Sequence, residues 1–242
     1  LADPPEGSPD RGAAAPGGRE KAAAPLALGD DLAASILRSL EPLRFREAVD
    51  PRERQACFRL RHRAVREFDA RAAERMPDGL EQDGFDPGAV QILGSDASGA
   101  IATCRLVLPE PGRPLPTERE FGLRISADRE IVEVGRVVVD PGYRGDGHSI
   151  LMGLIARAWL SMRDRGFTAA IGATPGRLVD LFDALGFQVS RLGPARMYWG
   201  EMRYPFLCEG GSAVPEIARR WMAIEGEPPP DSEGSGGPTG PQ

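Results

Sequence analysis

Histidine and cysteine are scarce in this chain. Its 242 residues hold two histidines, His62 and His148, and three cysteines, Cys57, Cys104 and Cys208. Each cysteine stands alone in an apolar segment, without the paired spacing of a zinc site or a disulfide framework, so core packing is the expected role. Two histidines are too few for a histidine-rich centre, and no metal is expected. No apolar run reaches the length of a membrane span, and no charged-then-apolar leader opens the chain. A soluble, cytoplasmic protein is the expectation. Positive charge is not in excess either: the formal net charge is −6, which argues against general nucleic-acid binding. Part of that acidity sits in Glu225, Glu227, Asp231 and Glu233, so it says little about an active surface.

The ends also lack apolar periodicity. Residues 1–29 are mostly Ala, Pro, Gly and charge, and residues 227–242 read EPPPDSEGSGGPTGPQ. Such segments bury too little apolar surface to offset chain entropy, so 1–29 and 225–242 are expected to be disordered tails around a folded domain at 30–224. Within it, Asp30-Asp31 is read as the cap of a short helix through Leu40, and RFREAV as a strand. Asp50-Pro51 opens a helix to Phe68 whose stripe of Cys57, Leu60, Ala64 and Phe68 also contains Arg61. A polar loop follows, then β-type runs at Val90–Leu93 and Ala100–Leu108 around GSDASG. Ile131–Val139 is the strongest strand, and a helix runs from His148 to Arg165 with Gly166 as its stop. Alternating strands and helices continue to Ile224. This order predicts a mixed α/β (α+β) domain with a central sheet flanked by helices.

Three charges fall where apolar residues are expected. Glu133 and Arg136 interrupt an Ile/Val/Gly strand, and Arg105 interrupts IATCRLVL. Isolated charges in central strands are costly unless paired. A buried network in which Arg61 or Arg105 faces Asp83, Asp86 or Glu133 resolves the cost, whether it serves chemistry or only braces the loop after the first helix. Strict alternation sends Glu133 and Arg136 to opposite faces, so a bulge near Val134–Gly135 is expected.

VDPGYRGDGHS, residues 139–149, joins the strongest strand to the following helix with little side-chain bulk. Glycines there let successive N–H groups approach a ligand, and the helix start adds unpaired donors and partial positive charge, a combination suited to phosphate. It is neither of the two common nucleotide loops. The segment resembles the acyl-CoA-binding motif of the GNAT superfamily, R/Q-x-x-G-x-G/A, with Ser149 in the last place. LFDALGF resembles the superfamily's later helix-turn-strand, with Phe182 where many members carry a tyrosine that protonates the leaving thiolate. LRHRAVREF, EQDGFD, ATCRLVLP, LPTEREF and EVGR occur in the order seen in acyl-homoserine-lactone synthases and N-acyl amino acid synthases. This further likeness covers roughly residues 44–139, and the retained phosphate loop is closer to the N-acyl amino acid synthases.

The resemblance implies a GNAT-like fold and an N-acyltransferase that moves a medium or long acyl chain to an amino acid or related small amine. It implies no permanently bound cofactor, with acyl-CoA or phosphopantetheine-linked acyl carrier protein as co-substrate. It places functional roles on Arg61, Asp83, Asp86, Arg105, Glu133 and Arg136. Val137, Val139, Arg144, Gly145, Gly147, His148 and Ser149 would meet the pantetheine and its phosphate. Glu133 is the candidate base, Arg105 or Arg136 would hold an acceptor carboxylate, and Tyr143, Tyr198 and Tyr204 are weaker acid candidates. An acidic carrier would dock on Arg157, Arg163 and Arg165, although an ordinary solvated helix face explains those arginines as well. Three alternatives stand beside this reading: an acetyl-CoA-dependent acetyltransferase, a lactone synthase, and a non-catalytic module that binds acyl thioesters.

Overall fold

A computed structural model of the protein describes residues 16–125, 131–145 and 148–225. The first described element is a long helix, α1 (Pro16–Ser39), which starts ahead of the expected domain boundary at residue 30. Alanine-rich sequence favours the helix despite Pro25. Burial of Ala33 and Ile36 against later helices anchors it. Asp30 is consequently not a cap. It accepts hydrogen bonds from Trp159 Nε1 (2.8 Å) and Arg163 Nε (3.2 Å).

The chain then forms β1 (Arg44–Glu47), α2 (Pro51–Phe68), the short α3 (Ala70–Glu74), β2 (Val90–Asp96) and β3 (Gly99–Val107). α2 opens as its sequence predicts, with the Asp50 carboxylate accepting from the Arg52 amide and Pro51 in the first turn. Next come α4 (Pro116–Phe121), β4 (Ile131–Val139), α5 (Ser149–Arg163), β5 (Ala169–Pro175), α6 (Gly176–Ala184), β6 (Val189–Arg191), β7 (Arg196–Tyr198), β8 (Glu201–Glu209) and α7 (Gly210–Glu225). Among the described residues the eight strands make one sheet in the order β1-β2-β3-β4-β5-β8-β6, with β7 also paired to β8. α1, α5 and α7 pack together on one face, through Ile36, Met152, Ala156, Ala213 and Ile217. α2 and α4 lie over the other.

β4 and β5 are parallel and pair only from Ile131 opposite Ala169 to Glu133 opposite Ile171. Beyond that row β5 continues with β8 from Gly172–Phe206 to Pro175–Arg203, while β4 continues with β3 to Val139. The two strands therefore part in mid-sheet. Gly172 sits at the fork, where a Cβ would lie 2.5 Å from the Val134 carbonyl oxygen. Gly172→Ala is expected to destabilise the fold by about 2 kcal/mol or more, because backbone rather than a flexible side chain must yield. A urea midpoint unchanged from the parent would contradict this.

Candidate active site

Seven polar side chains from five parts of the chain meet under α2. Arg61 of α2 is 1% exposed and donates to both Asp86 oxygens (2.7 and 2.9 Å) and to Glu81. Gln91 of β2 bonds Asp86 at 2.9 Å and accepts from Arg61 at 3.2 Å. Arg105 of β3, also 1% exposed, reaches Asp83 (2.7 Å) and Asp86 (3.2 Å). Arg136 of β4 reaches Asp83 (2.9 Å) and Glu81 (3.2 Å). Three guanidiniums thus face three carboxylates, as the isolated charges in the strands require. Sequence reasoning misses Glu81 and Gln91: Glu81 lies in a polar loop without periodicity, and Gln91 has the pattern of any solvent-side strand residue. Burial alone would raise Asp83 and Asp86, but hydrogen bonds from Arg105 and Arg61 outweigh it and hold both carboxyls below their ordinary range.

The bulge in β4 is one residue beyond its expected place. Between Arg105–Gly135 and Thr103–Val138, three steps on β4 oppose two on β3, and Arg136, not Gly135, takes the left-handed conformation at φ 54°. That backbone is unfavourable for arginine. Two carboxylates hold the side chain in place, and the Trp199 ring lies 3.7 Å from its guanidinium. Glu133 shares its row with Val107 of β3 and Ile171 of β5 and takes no ion pair with the arginines. It is 5% exposed and accepts from the Thr117 amide at 2.7 Å. Burial pushes its carboxyl up to about 7, against the pull of that amide and of Arg105 and Arg136. Such a group exchanges a proton near neutral pH.

The gap between β4 and β5 opens into a cavity of about 560 Å³. Val134, Val137, Leu151, Leu178, Phe182 and Phe206 give it an apolar wall, and Arg136 and Trp199 lie at its polar side. Val137 is 42% exposed, unusual for valine in a central strand. Past Glu133, the edge of β4 that turns toward β5 carries backbone groups without sheet partners. Val137 and Val139 line the cavity there. At one mouth, α5 begins behind His148, whose φ is 67° and whose side chain makes no cap bond. The first intrahelical bond runs from Met152 N to His148 O, leaving the amides of Ser149, Ile150 and Leu151 without helical acceptors. Gly145 takes φ 130° with open space about its Cα, and Arg144 donates to the Val139 carbonyl and to Glu67, both at 2.9 Å. Gly147 lies outside the described residues.

The tyrosines are not placed as acids. Tyr143 lines the cavity, but its hydroxyl donates to Asp96, which pushes its pKa up. Tyr198 packs edge-on against Phe121, and Tyr204 lies beneath Arg191. Phe182 packs against Phe187 and Phe206. Arg157 and Arg165 pair with Glu47, and Arg163 with Asp30, so this helix face is not a free basic surface. Burial pushes the Cys57 and Cys104 thiols up, consistent with packing. Among the described residues no group of three or more metal-type ligands occurs, and no helix is long and apolar enough to cross a membrane.

A strand that leaves its parallel neighbour beside a helix start is the geometry to which the phosphate loop points. Residues 60–153 match the family model described as acetyltransferase (GNAT) domain. Over that segment the chain is similar to GNAT acetyltransferases. No curated protein matches it in sequence. Solved structures match it in fold. The CoA-dependent acyl-homoserine lactone synthase BjaI superposes with TM-score 0.59 and 21% identity, over 72% of this chain and 83% of that one. The acyl-homoserine-lactone synthase LasI gives 0.58 and 18%, over 71% and 91%. FeeM, an N-acyl amino acid synthase from uncultured soil microbes, gives 0.57 and 12%, over 74% and 97%. At these identities the likeness is one of fold, and it covers more of the chain than the matched segment.

Proposed function

We propose that this protein is an N-acyltransferase that moves a medium or long acyl chain from a pantetheine thioester to the amino group of an amino acid or related small amine. The observation that carries the reading is the parting of β4 from β5 after Glu133. It opens an apolar cavity between unpaired amides at the start of α5 and a buried carboxylate–guanidinium cluster.

Acyl-CoA, or acyl carrier protein through its phosphopantetheine arm, is the donor. Its phosphate meets the amides of Ser149, Ile150 and Leu151, where helix dipole and N–H groups without helical acceptors favour negative charge. Its arm adds along the open edge of β4, and N–H groups around Val137–Val139 polarise the thioester carbonyl and receive the oxyanion. The apolar wall, with Leu178, Phe182 and Phe206, suits an alkyl chain better than an acetyl group alone.

The amine must lose a proton before it attacks. An α-amino group has a pKa of about 8, so deprotonation at neutral pH costs about 1.4 kcal/mol, against roughly 4–5 kcal/mol for a lysine-like amine. A modest base is enough for the α-amino group. Glu133, with its carboxyl near 7 and lying one residue behind the cavity wall, takes the proton through water. Arg105 is too enclosed to hold an acceptor. It and Arg61 fix Glu81, Asp83 and Asp86, and of these Glu81 and Asp83 hold Arg136 at the bulge.

The test is mass spectrometry of the products formed by purified protein from acetyl-, octanoyl- and palmitoyl-CoA with a panel of amino acids and with S-adenosylmethionine. N-acyl amino acids from the longer donors are expected. Product from acetyl-CoA alone would identify a small-acyl acetyltransferase, a lactone would identify a lactone synthase, and donor binding without product would leave a binding module.

A further inference from the structure

The cavity contains a guanidinium that the chemistry above leaves unused. Arg203 of β8 lines it, with a side chain 22% exposed. Its Nη2 donates to Glu201 at 2.8 Å, but its Nε is buried with no hydrogen-bond partner among the described residues. Glu201 is divided between two cations, since its other oxygen accepts from Arg177 at 2.7 Å. The cluster under α2 does not help, because its three arginines are matched by Glu81, Asp83 and Asp86. The wall formed by Arg177, Glu201 and Arg203 therefore carries one more positive than negative charge. Burial first, and then the nearby Arg136, pull the Arg203 pKa below its ordinary value against the counter-pull of Glu201. An under-paired, largely enclosed cation is costly unless an anion completes it.

Sheet register decides which anion. Arg203 pairs with Arg196 of β7, and paired residues share a face. Arg196 reaches the Glu120 carbonyl at the end of α4, so that face is the one α4 covers. Arg203 also pairs with Pro175, and two-residue alternation back along β5 leads to Ile171, which pairs with Glu133. Arg203 and Glu133 therefore lie on the same face, opposite the helical layer that contains α5 and its unpaired amides. A donor phosphate held at α5 does not satisfy Arg203. Four residues of β5, about 13 Å at the rise of a strand, separate the Glu133 and Arg203 rows. An amino acid and one water, with the two long side chains reaching toward each other, span that interval.

We infer that Arg203 binds the carboxylate of the acceptor, with Nε and a terminal nitrogen forming a two-pronged contact, and thereby selects α-amino acids over simple amines. This rests on the acyl-transfer reading and goes further by assigning the acceptor's carboxylate to a residue outside the α2 cluster. Trp199, stacked on Arg136, lines the same cavity.

The experiment compares α-amino acids with their amides, leucine beside leucinamide and phenylalanine beside phenylalaninamide, using octanoyl-CoA and the full chain. Parent protein is expected to prefer the acid by about 100-fold in kcat/KM, as removal of one partner of a buried charge pair implies. Arg203→Gln is expected to bring the acid down to the level of the amide, mainly through acceptor KM, with the KM for octanoyl-CoA unmoved. Arg203→Lys restores part of the preference. Equal use of acid and amide by the parent, or a preference that survives Arg203→Gln, overturns the inference. Calorimetric binding of N-octanoyl-leucine and N-octanoyl-leucinamide separates it from the acyl-transfer reading. If no amine is acylated, that reading fails, yet acid-selective binding lost in Arg203→Gln still upholds the carboxylate site. Binding without acid selectivity sinks the site even if turnover is found.

Discussion

Glu133→Gln is expected to lower amine-dependent turnover by about 10²–10⁴-fold, the usual contribution of a positioned proton acceptor. The substitution keeps the shape of the side chain and an oxygen able to accept from the Thr117 amide at its present site, so fold and donor binding should persist. The pH profile distinguishes this from a merely structural effect. With the carboxyl near 7, parent kcat/KM falls as pH drops below 7 because the base becomes protonated. In the Gln variant that inflection disappears, leaving only that of the acceptor amine near about 8. Stability moves the other way. The folded pKa of Glu133 lies above its ordinary value of 4.5, so its neutral form is the one folding favours. The contribution is intact below 4.5 and is lost as pH rises to about 7. At pH 8 the Gln variant should therefore be more stable than the parent, by an amount of order 3 kcal/mol. A slower but more stable variant is the signature of a group placed for reactivity. Loss of both activity and stability at pH 8 would contradict it.

Arg61→Ala is the largest stability change expected. It takes from the buried Asp86 its two-pronged partner, leaving Arg105 and Gln91, leaves the buried Glu81 with Arg136 alone, and removes a guanidinium that is itself 1% exposed. Breaking a buried pair from one side costs about 3–5 kcal/mol, which for a domain of this size lowers Tm by about 10 °C. Arg61→Lys keeps the charge but not the two-pronged contact with Asp86, and should lose roughly half as much. The same network sets acid sensitivity. Asp83 and Asp86 have folded pKa values held below the ordinary carboxylate value of 3.8, so their stabilisation is present above that pH and drains away as pH falls below it. A thermal scan of Arg61→Ala within 2 °C of the parent, a margin of about half a kcal/mol, would show that these contacts are not the brace described.

Much of this arrangement is legible in the chain. Ile131–Val139 reads as a strand by composition and is one over those residues. The phosphate loop ahead of α5 can be found because small residues at a strand-to-helix junction have a local cause. The charges at Arg61, Arg105, Glu133 and Arg136 are visible as violations of apolar patterning, and such violations need tertiary partners. Their partners are harder to name. Asp83 and Asp86 come through resemblance, while Glu81 sits in a loop with nothing periodic to mark it. Arg203 has the pattern of an ordinary alternating polar residue of β8. Only the parting of β4 from β5 makes it part of a cavity wall. The bulge is expected at Gly135 on conformational grounds, but side-chain contacts to Glu81, Asp83 and Trp199 move the left-handed residue to Arg136. The part of α1 ahead of Asp30 escapes the sequence for a related reason. Its alanines carry too little apolar bulk to show a stripe, and its helix depends on α5 and α7, distant in sequence.

One crystal structure with a non-hydrolysable thioether analogue of octanoyl-CoA probes the central claim. The pantetheine is expected between Val137–Val139 of β4 and Ala173–Pro175 of β5, with diphosphate oxygens on the amides of Ser149, Ile150 or Leu151 and the octyl chain against Phe182 and Phe206. Analogue bound elsewhere, or β4 zipped onto β5 through Val139 with no room for it, would contradict the account.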